Sequence, residues 1–446
     1  MRGSRAVPGR GINLYISQLV VQGFRGFSGP REVALDFSRP DGTYAGWTVL
    51  AGRNGSGKTT FLQAIALGIV GDYFIRGWDV WSGRRTGEQA LIAVTVVQDS
   101  NFDSGLDFGP QVFELRWDDE GHPYVPPRSA GSRGRGKNIG ALRFGPGEGW
   151  FFAGYGPFRR LSPNAFGRGE SPRSVMYAGL RTLFDEDVTL TEGVGWLIEQ
   201  HLYQLEGRTG AAELLEVVLS LLADGMLPDD HQVVRVDSDG LWVRQGDGAE
   251  TSLRQMSEGY RTVTAVVVDI IRQMHLAYGS LRVTHQGETP TLAYPGVILI
   301  DEIENHLHVG WQKRIGEWLT SHFPLVQFIV TTHSPYVCQT ADPNGLIALP
   351  GPREPKSAHV VHRDLYERVV FGSGDDAILT ELFGVDSPYS TRAEDVRRQL
   401  GDLEEKVLSG SASEAEIEDY RKLGKMLESS LSARVDEVSA RLRRQD

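Results

Sequence analysis

The sequence has very little cysteine and no long apolar run. Its 446 residues include one cysteine, Cys338, which excludes an intrachain disulfide and favours a reducing, cytoplasmic location. The longest uninterrupted apolar stretches, such as residues 265–268 and 296–300, are far shorter than the roughly 20 residues that a membrane-spanning helix requires. The sequence therefore predicts no membrane segment.

An excess of positive charge is also lacking. Lys and Arg total 46 against 58 Asp and Glu, a formal net charge of −12, which argues against nucleic-acid binding through overall charge. Residues 121–180 differ, because only Glu148 and Glu170 oppose nine basic residues there: Arg128, Arg133, Arg135, Lys137, Arg143, Arg159, Arg160, Arg168 and Arg173. Any DNA or RNA contact is expected in this segment, although a solvated loop that offsets the acidic remainder explains the same charges.

The length of the chain predicts two or three packed units. Apolar residues alternate with period two in residues 14–21 and 33–37, which predicts two strands, with a slip in register between Ile16 and Leu19. A short strand at 47–50 leads through a glycine-rich turn into a helix. Four apolar residues are predicted to line one face of that helix: Phe61, Leu62, Ile65 and Ala66.

The remaining pattern alternates between strands and helices. Strands are predicted at residues 91–97 and 112–117, helices over most of 189–227, a hairpin at 233–243 and an amphipathic helix at 259–274. Two apolar strands at 296–300 and 326–330 flank a helical stretch near 311–319, which predicts parallel pairing in a sheet that is buried on both faces. Residues 391–446 contain no proline and predict a helical hairpin, with a capping box at Ser413 and Glu416.

The glycine-rich turn carries the strongest motif. Residues 52–59 match the pattern G-x-x-x-x-G-K-[ST] between a predicted strand and a predicted helix, the context in which such a loop binds nucleotide phosphates. Glycines let backbone N–H groups approach phosphate oxygens, Lys58 supplies a positive charge to them, and the Thr59 hydroxyl can bind Mg²⁺. The candidate nucleotide-binding residues of this loop are Gly52, Asn54, Gly55, Ser56, Gly57, Lys58, Thr59 and Thr60.

Two acidic residues end the apolar strand at 296–300. Because ligands bind at the carboxyl edge of parallel sheets, Asp301 is predicted to hold Mg²⁺ through water and Glu302 to polarise the water that attacks the phosphate.

Three further segments resemble motifs of ATP-binding-cassette (ABC) ATPases. Residues 257–259 (Ser-Glu-Gly) resemble the signature motif, although Glu258 replaces a glycine; residues 304–307 resemble the D-loop; and residues 331–335 (Thr-Thr-His-Ser-Pro) resemble the switch-histidine segment of RecF, SMC and OLD-type ATPases. The resemblance implies an α/β P-loop fold with a mixed sheet, an α+β insertion and a C-terminal helical hairpin. It covers residues 13–70 and 230–340.

The resemblance also implies roles and partners. Two chains would enclose ATP and Mg²⁺, with Ser257 and Gly259 acting on the nucleotide of the other chain and His333 sensing the γ-phosphate. Arg25 falls where relatives place a residue near the nucleotide, and the Q-loop corresponds either to Gln98 or to residues 154–160. The expected function is an ATPase of bacterial defence or DNA maintenance that regulates a separate effector protein. No membrane partner is expected.

Two other functions share these motifs. In a transporter's nucleotide-binding subunit, the phosphate-binding loop (the Walker A motif) and the signature motif are closer together in sequence than they are here. An OLD-type nuclease needs an acidic metal-binding domain, which Asp375 and Asp376 alone do not supply. The predicted domains are residues 1–70 and 230–350 as the two halves of the ATPase core, 71–229 as an insertion and 351–446 as a C-terminal partner or oligomer contact.

Overall fold

The computed structural model describes residues 14–71, 89–98, 110–126, 151–158, 179–186, 190, 192–228 and 230–427. The strands are β1 (Leu14–Gln22), β2 (Val33–Asp36), β3 (Gly46–Ala51), β4 (Leu91–Gln98), β5 (Gln111–Trp117), β6 (Pro123–Tyr124), β7 (Phe152–Tyr155), β8 (Gln232–Asp237), β9 (Gly240–Arg244), β10 (Glu250–Ser252), β11 (Thr284–Gln286), β12 (Thr289–Thr291), β13 (Gly296–Ile300), β14 (Val326–Thr332), β15 (Leu346–Ala348) and β16 (His359–Val360).

The helices of the described residues follow the same chain order. They are α1 (Lys58–Val70), α2 (Glu192–Leu205), α3 (Ala211–Ala223), α4 (Glu258–Tyr278), α5 (Val309–Gln312), α6 (Ile315–His322), α7 (Pro335–Cys338), α8 (Arg363–Phe371), α9 (Gly374–Ile378), α10 (Thr391–Leu408) and α11 (Glu414–Leu427). None of the helices in this described part of the chain combines the length and apolar character needed to cross a membrane.

A six-stranded sheet positions the candidate site. Its order is β16-β15-β3-β14-β13-β7, and all neighbours are parallel except β16, which is antiparallel to β15. Nearly all residues of β3, β13 and β14 are buried, as parallel strands covered on both faces require. The parallel pairing predicted for residues 296–300 and 326–330 is confirmed. The α/β fold class that the motifs implied is also confirmed.

Helix α1 packs between this sheet and a second, antiparallel sheet with the order β2-β1-β4-β5-β6. The register shift between Ile16 and Gln18 confirms the predicted slip in β1. The prediction that α1 buries one face is wrong, because 11 of its 13 residues are buried. A helix held between two sheets has no solvent face, so its sequence is apolar all round rather than amphipathic.

A helical layer covers the other face of the central sheet. Residues from α2, α3, α4 and α6 form one apolar cluster with the inner side chains of β3, β13 and β14, and with the three-stranded sheet β10-β9-β8. The predicted hairpin at residues 233–243 corresponds to β8 and β9 and is confirmed. Helix α4, which begins directly after Ser257, is the longest helix of the described residues.

Residue contacts divide the chain into Met1–Gly384 and Val385–Asp446. The second unit contains the predicted helical hairpin, with α10 and α11 joined at a capping box: the Ser413 amide donates to the Glu416 carboxylate at 2.8 Å, and the Glu416 amide donates to Ser413 Oγ at 3.3 Å. Residues 428–446 of the hairpin prediction lie outside the described residues. The contact boundary falls after Gly384 rather than after residue 350, because β16, α8 and α9 belong to the first unit.

Candidate nucleotide site

The loop between β3 and α1 has the backbone that a phosphate-binding loop requires. Gly55 and Gly57 have φ values of 76° and 99°, which side chains other than glycine rarely adopt. A Cβ on Gly52 would lie 2.4 Å from the Leu349 carbonyl oxygen, and a Cβ on Gly57 would lie 2.9 Å from the Phe27 ring. Glycine is therefore required by close packing as well as by conformation.

Lys58 lies across this loop. Its Nζ donates to the carbonyl oxygens of Gly52 at 2.8 Å and Arg53 at 3.3 Å, and the residue is 6% exposed. Burial lowers the pKa of Lys58, while the nearby carboxylates of Asp301 and Glu302 oppose that shift. Among the other predicted loop residues, Asn54 and Gly55 are exposed, Ser56 is buried, and Thr60 is half-buried in the first turn of α1.

Asp301 is fully buried where β13 ends, and it joins two other elements. Thr59 Oγ1, in the first turn of α1, donates to Asp301 Oδ2 at 2.6 Å, although the two residues are 242 positions apart. Thr331 Oγ1, on β14, donates to Asp301 Oδ1. The two residues that were predicted to bind Mg²⁺ are thus in direct contact.

Glu302 has a strained backbone. Its φ is 46°, a left-handed conformation that costs a residue with a side chain about 1 kcal/mol or more. The conformation is held by the Glu302 amide, which donates to Thr331 Oγ1 at 2.8 Å, and by Asn305 Nδ2, which donates to Glu302 Oε2 at 2.7 Å. The carboxylate of the predicted catalytic base is therefore positioned by neighbours on both sides.

His333 follows β14, the strand between β3 and β13. Its amide donates to the Glu304 carboxylate, and Thr332 Oγ1 donates to the same carboxylate at 2.7 Å. Burial lowers the pKa of His333, and the charge of Lys58 lowers it further, while Glu304 and Glu302 act in the opposite direction. The net effect is a lowered pKa, which favours the neutral imidazole.

The signature segment lies at the start of α4. Ser257 is the N-cap residue of this 21-residue helix, but its hydroxyl makes no capping hydrogen bond, and the residue is exposed. Gly259 is held close to the D-loop, because a Cβ there would lie 2.4 Å from the His306 carbonyl oxygen. An exposed hydroxyl at the N-terminus of a long helix is suited to contact an anionic group.

The remaining predicted residues are placed as follows. Arg25 donates to Gln63 Oε1 on α1 at 2.5 Å, and Gln63 in turn donates to the Leu183 carbonyl. Gln98 ends β4 in the antiparallel sheet, whereas Gly154 and Tyr155 pair with β13, and the Pro157 carbonyl accepts from Asn305 Nδ2 at 3.4 Å. Arg159, Arg160 and the other seven basic residues singled out in segment 121–180 lie outside the described residues.

Several residues of the site have contacts that the sequence did not assign to them. Arg31 donates to the carbonyl oxygens of Ser56 at 2.8 Å and Pro350 at 3.0 Å, and so supports the phosphate loop from outside. Thr331 joins Asp301 to Glu302, and Tyr155 donates to Asp269 of α4 at 2.9 Å. Thr331 and Thr332 end an apolar strand, and buried hydroxyls need hydrogen-bond partners. The sequence therefore did contain an indication that these two residues bond to the site. Arg31 bonds to backbone carbonyls, which leave no sequence pattern.

This arrangement defines a P-loop ATPase. Residues 203–339 match the protein-family model described as "AAA domain, putative AbiEii toxin, Type IV TA system", and residues 18–79 match a second model described as "AAA domain". Together the matched segments contain the phosphate loop, Ser257, Asp301, Glu302 and His333. Both matches are to AAA-type ATPase domains, the class of domain that the phosphate loop and the acidic end of β13 indicate.

Two relatives with curated names are similar to the chain. The chain is 24% identical over 340 residues to the Septu protein PtuA of Bacillus mycoides, covering 73% of this chain and 39% of that protein. It is 43% identical over 94 residues to the Retron Vc95 probable ATPase of Vibrio cholerae, covering 21% of this chain and 17% of that protein. The chain thus spans about two-fifths of PtuA and less than a fifth of the retron protein.

Among solved structures, the chain is similar to an Smc head domain derived from Pyrococcus furiosus, which has an extended coiled coil and is bound to the C-terminal domain of ScpA. The identity is 17%, the match covers 78% of this chain and 96% of that one, and the TM-score is 0.44.

Proposed function

We propose that two copies of the chain enclose two ATP molecules, with each phosphate loop completed by Ser257 and Gly259 of the other copy. The observation that carries the proposal is the exposed Ser257, whose hydroxyl makes no capping bond at the N-terminus of α4. A helix N-terminus attracts phosphate oxygens through its free N–H groups and its partial positive charge. ATP then holds the two copies together, and its hydrolysis separates them.

The predicted site residues have distinct roles in hydrolysis. Lys58 binds the β- and γ-phosphates, Glu302 polarises the attacking water, His333 contacts the γ-phosphate, and Arg25 lies beside the nucleotide. Thr59 and Asp301 would hold Mg²⁺, which fits because their hydroxyl and carboxylate oxygens lie 2.6 Å apart and oxygen ligands suit this cation. When bound, Mg²⁺ neutralises charge on the phosphates.

The biological role that we propose is control of a separate effector protein in a bacterial defence system. The names of the relatives, a Septu protein and a retron ATPase, support this context. The C-terminal hairpin is a candidate docking surface, because it leaves Leu408 82% and Met426 55% exposed. Segment 121–180 remains the candidate for contact with DNA or RNA.

An OLD-type nuclease is the weaker alternative. Asp376, one of its two candidate acids, serves as a helix cap: its carboxylate accepts from the Ser373 amide at 2.9 Å and from Ser373 Oγ at 2.7 Å at the start of α9. This local role supports the view that the acid pair belongs to α9 rather than to a metal centre.

The proposal is tested by measuring the mass of Glu302→Gln with and without ATP. The amide cannot act as a base, so ATP should persist and the mass should double. Co-expression with the product of the neighbouring gene tests the effector, whose complex should gain or lose mass when ATP is added. A monomer at saturating ATP, or equal ATP turnover by Glu302→Gln and the wild type, would contradict the assignment.

A further inference from the structure

The turn that follows Glu302 meets the signature turn of the same chain. Gly259 approaches the His306 backbone so closely that a Cβ would lie 2.4 Å from the His306 carbonyl oxygen. His306 also has a φ of 66°, a left-handed backbone conformation that few residues with side chains adopt. A backbone-to-backbone contact of this kind links two functional loops that are 47 positions apart.

The same turn is bonded to the catalytic base. The Asn305 amide donates to the Glu302 carbonyl at 3.0 Å, and Asn305 Nδ2 donates to the Glu302 carboxylate at 2.7 Å. On the other side, His306 Nδ1 lies 3.7 Å from Glu258 Oε2 in the signature segment. Consecutive residues of one turn therefore contact Glu302 and the residue next to Ser257.

Packing beneath these contacts is incomplete. A small apolar cavity lies between α4, the turn and α6, and its lining includes Val263, Ile303, Leu307 and Ile315. A void removes the dispersion contacts that would otherwise fix the helix against the turn. The contacts made by Gly259, Glu258 and His306 therefore add to this packing in setting the position of the signature turn relative to Glu302.

We propose that His306 is a positioning residue that couples Glu302 to the signature serine of its own chain. The inference rests on the proposed dimer, in which that serine acts on the nucleotide of the partner. Loss of the γ-phosphate at one site then shifts the turn, and the shift moves Ser257 at the other site. Glu258 stands where the related signature motif has a glycine, and its carboxylate supplies the contact for the His306 ring.

The experiment uses full-length Glu302→Gln as the parent and measures two constants: ATP affinity of the dilute single chain, and the dimer dissociation constant in saturating ATP. Adding His306→Ala should weaken the dimer by up to about fivefold, the upper end of the range for an exposed side-chain pair, and leave single-chain affinity unchanged. His306→Asn should restore the dimer, because asparagine tolerates positive φ and can donate to Glu258. Gly259→Ala should weaken it by more than about tenfold, because the backbone contact cannot form.

His308→Ala is the matched control. His308 lies two residues away, and its Nδ1 accepts from the Gly310 amide at the start of α5 instead of facing the signature segment. This variant should dimerise like the parent. If His306→Ala does not fold, Glu258→Ala removes the same contact from the other side and should weaken the dimer by a similar factor, and the double variant should be no weaker than either single one.

The outcomes separate the two proposals. A parent that does not dimerise with ATP overturns the proposed function and, with it, this inference. If the parent dimerises and the dimers of His306→Ala or Glu258→Ala are as strong as those of the parent, only the inference is overturned. Equal weakening by His306→Ala and His308→Ala also overturns it.

Discussion

The edge of the central sheet and the signature turn differ in how their polar groups are satisfied. At the sheet edge, Asp301 accepts from Thr59 and Thr331, and Glu302 accepts from Asn305. At the signature turn, Ser257 is exposed and its hydroxyl makes no capping bond. The first region is arranged within one chain, whereas the second presents a polar group outward.

This difference indicates that a single chain can bind the nucleotide, whereas turnover needs a second chain. A site whose donors and acceptors are already aligned needs little reorganisation to bind a nucleotide. An exposed helix N-terminus gains its partner only on binding. We therefore expect nucleotide binding to depend on the sheet edge and turnover to depend on both regions, and the following changes separate them.

Ser257→Arg should have the largest effect on turnover. The arginine side chain is larger than serine and blocks the approach of a second chain. Loss of the serine as a donor to a reacting phosphate costs about 10²- to 10³-fold in rate. ATP binding by the dilute chain should be unchanged, because Ser257 is exposed. Steady-state hydrolysis and equilibrium ATP binding are the two measurements.

Ser280→Arg is the control for this change, because Ser280 is exposed just beyond the opposite end of α4. It should hydrolyse ATP like the wild type. Loss of ATP binding in Ser257→Arg would show that the serine belongs to the nucleotide site of its own chain.

Lys58→Ala should weaken ATP binding by about 10- to 100-fold, the range for a charge-assisted hydrogen bond of about 1.5–3 kcal/mol. The protein should remain folded, because the alanine introduced at position 58 has a high helix propensity and lies at the start of α1. Calorimetric titration with ATP checks the affinity. The control is Lys422→Ala on the exposed surface of α11, which should bind ATP normally. Unchanged binding by Lys58→Ala would mean that the loop does not hold the nucleotide.

Sequence reasoning located the sheet edge because its residues follow a strand in a fixed order. Lys58, Asp301 and His333 each come at the end of an apolar strand or the start of the next helix, and the carboxyl ends of parallel strands meet at one edge. The partners across the sheet were not predictable in this way. In the sequence, Thr331 is only part of the segment that resembles the switch-histidine motif. The structure shows that its hydroxyl joins Asp301 to the Glu302 amide.

Long-range packing was the other limit. The apolar residues of α1 were assigned to one face, because a helix buried by two sheets has no polar stripe to reveal its second neighbour. Arg31 was missed for a related reason, since its acceptors are the backbone carbonyls of Ser56 and Pro350, which any sequence supplies.

Thr331→Val should lower kcat more than it raises KM. The change keeps the shape of the side chain but removes the acceptor of the Glu302 amide and one donor to Asp301. A buried group left without its partner costs about 1–3 kcal/mol, so the free energy of unfolding should fall by that amount. Steady-state kinetics and urea unfolding measure the two effects.

Thr320→Val on α6 is the matched control, because the Thr320 hydroxyl bonds only to carbonyl oxygens of its own helix, those of Gly316 and Glu317, among the contacts of the described residues. It should change the free energy of unfolding by less than about 0.5 kcal/mol. Equal kinetics in Thr331→Val and the wild type would mean that Glu302 does not need its strained backbone.

The smallest expected effect lies at the other end of the signature helix. His275, in the last turn of α4, packs against Trp196 with 5.9 Å between ring centroids, and its buried Nδ1 has no hydrogen-bond partner among the residues that the structure describes. Burial lowers the pKa of His275, so the unfolded chain binds the proton more readily than the folded chain does. Stability contributed by the neutral imidazole is therefore present above about pH 6.5 and is lost as the pH falls below it.

His275→Phe keeps a ring against Trp196 but removes the titrating group. The free energy of unfolding of this variant should fall less steeply between pH 6.5 and 5 than that of the wild type, by up to about 1.4 kcal/mol per pH unit. Urea unfolding across this range measures the slope. ATP turnover at pH 7.5 should match the wild type, because the nucleotide contacts of α4 are at its opposite end. Altered ATP turnover by His275→Phe at pH 7.5 would mean that packing along the whole of α4, and not the signature turn alone, sets the position of Ser257.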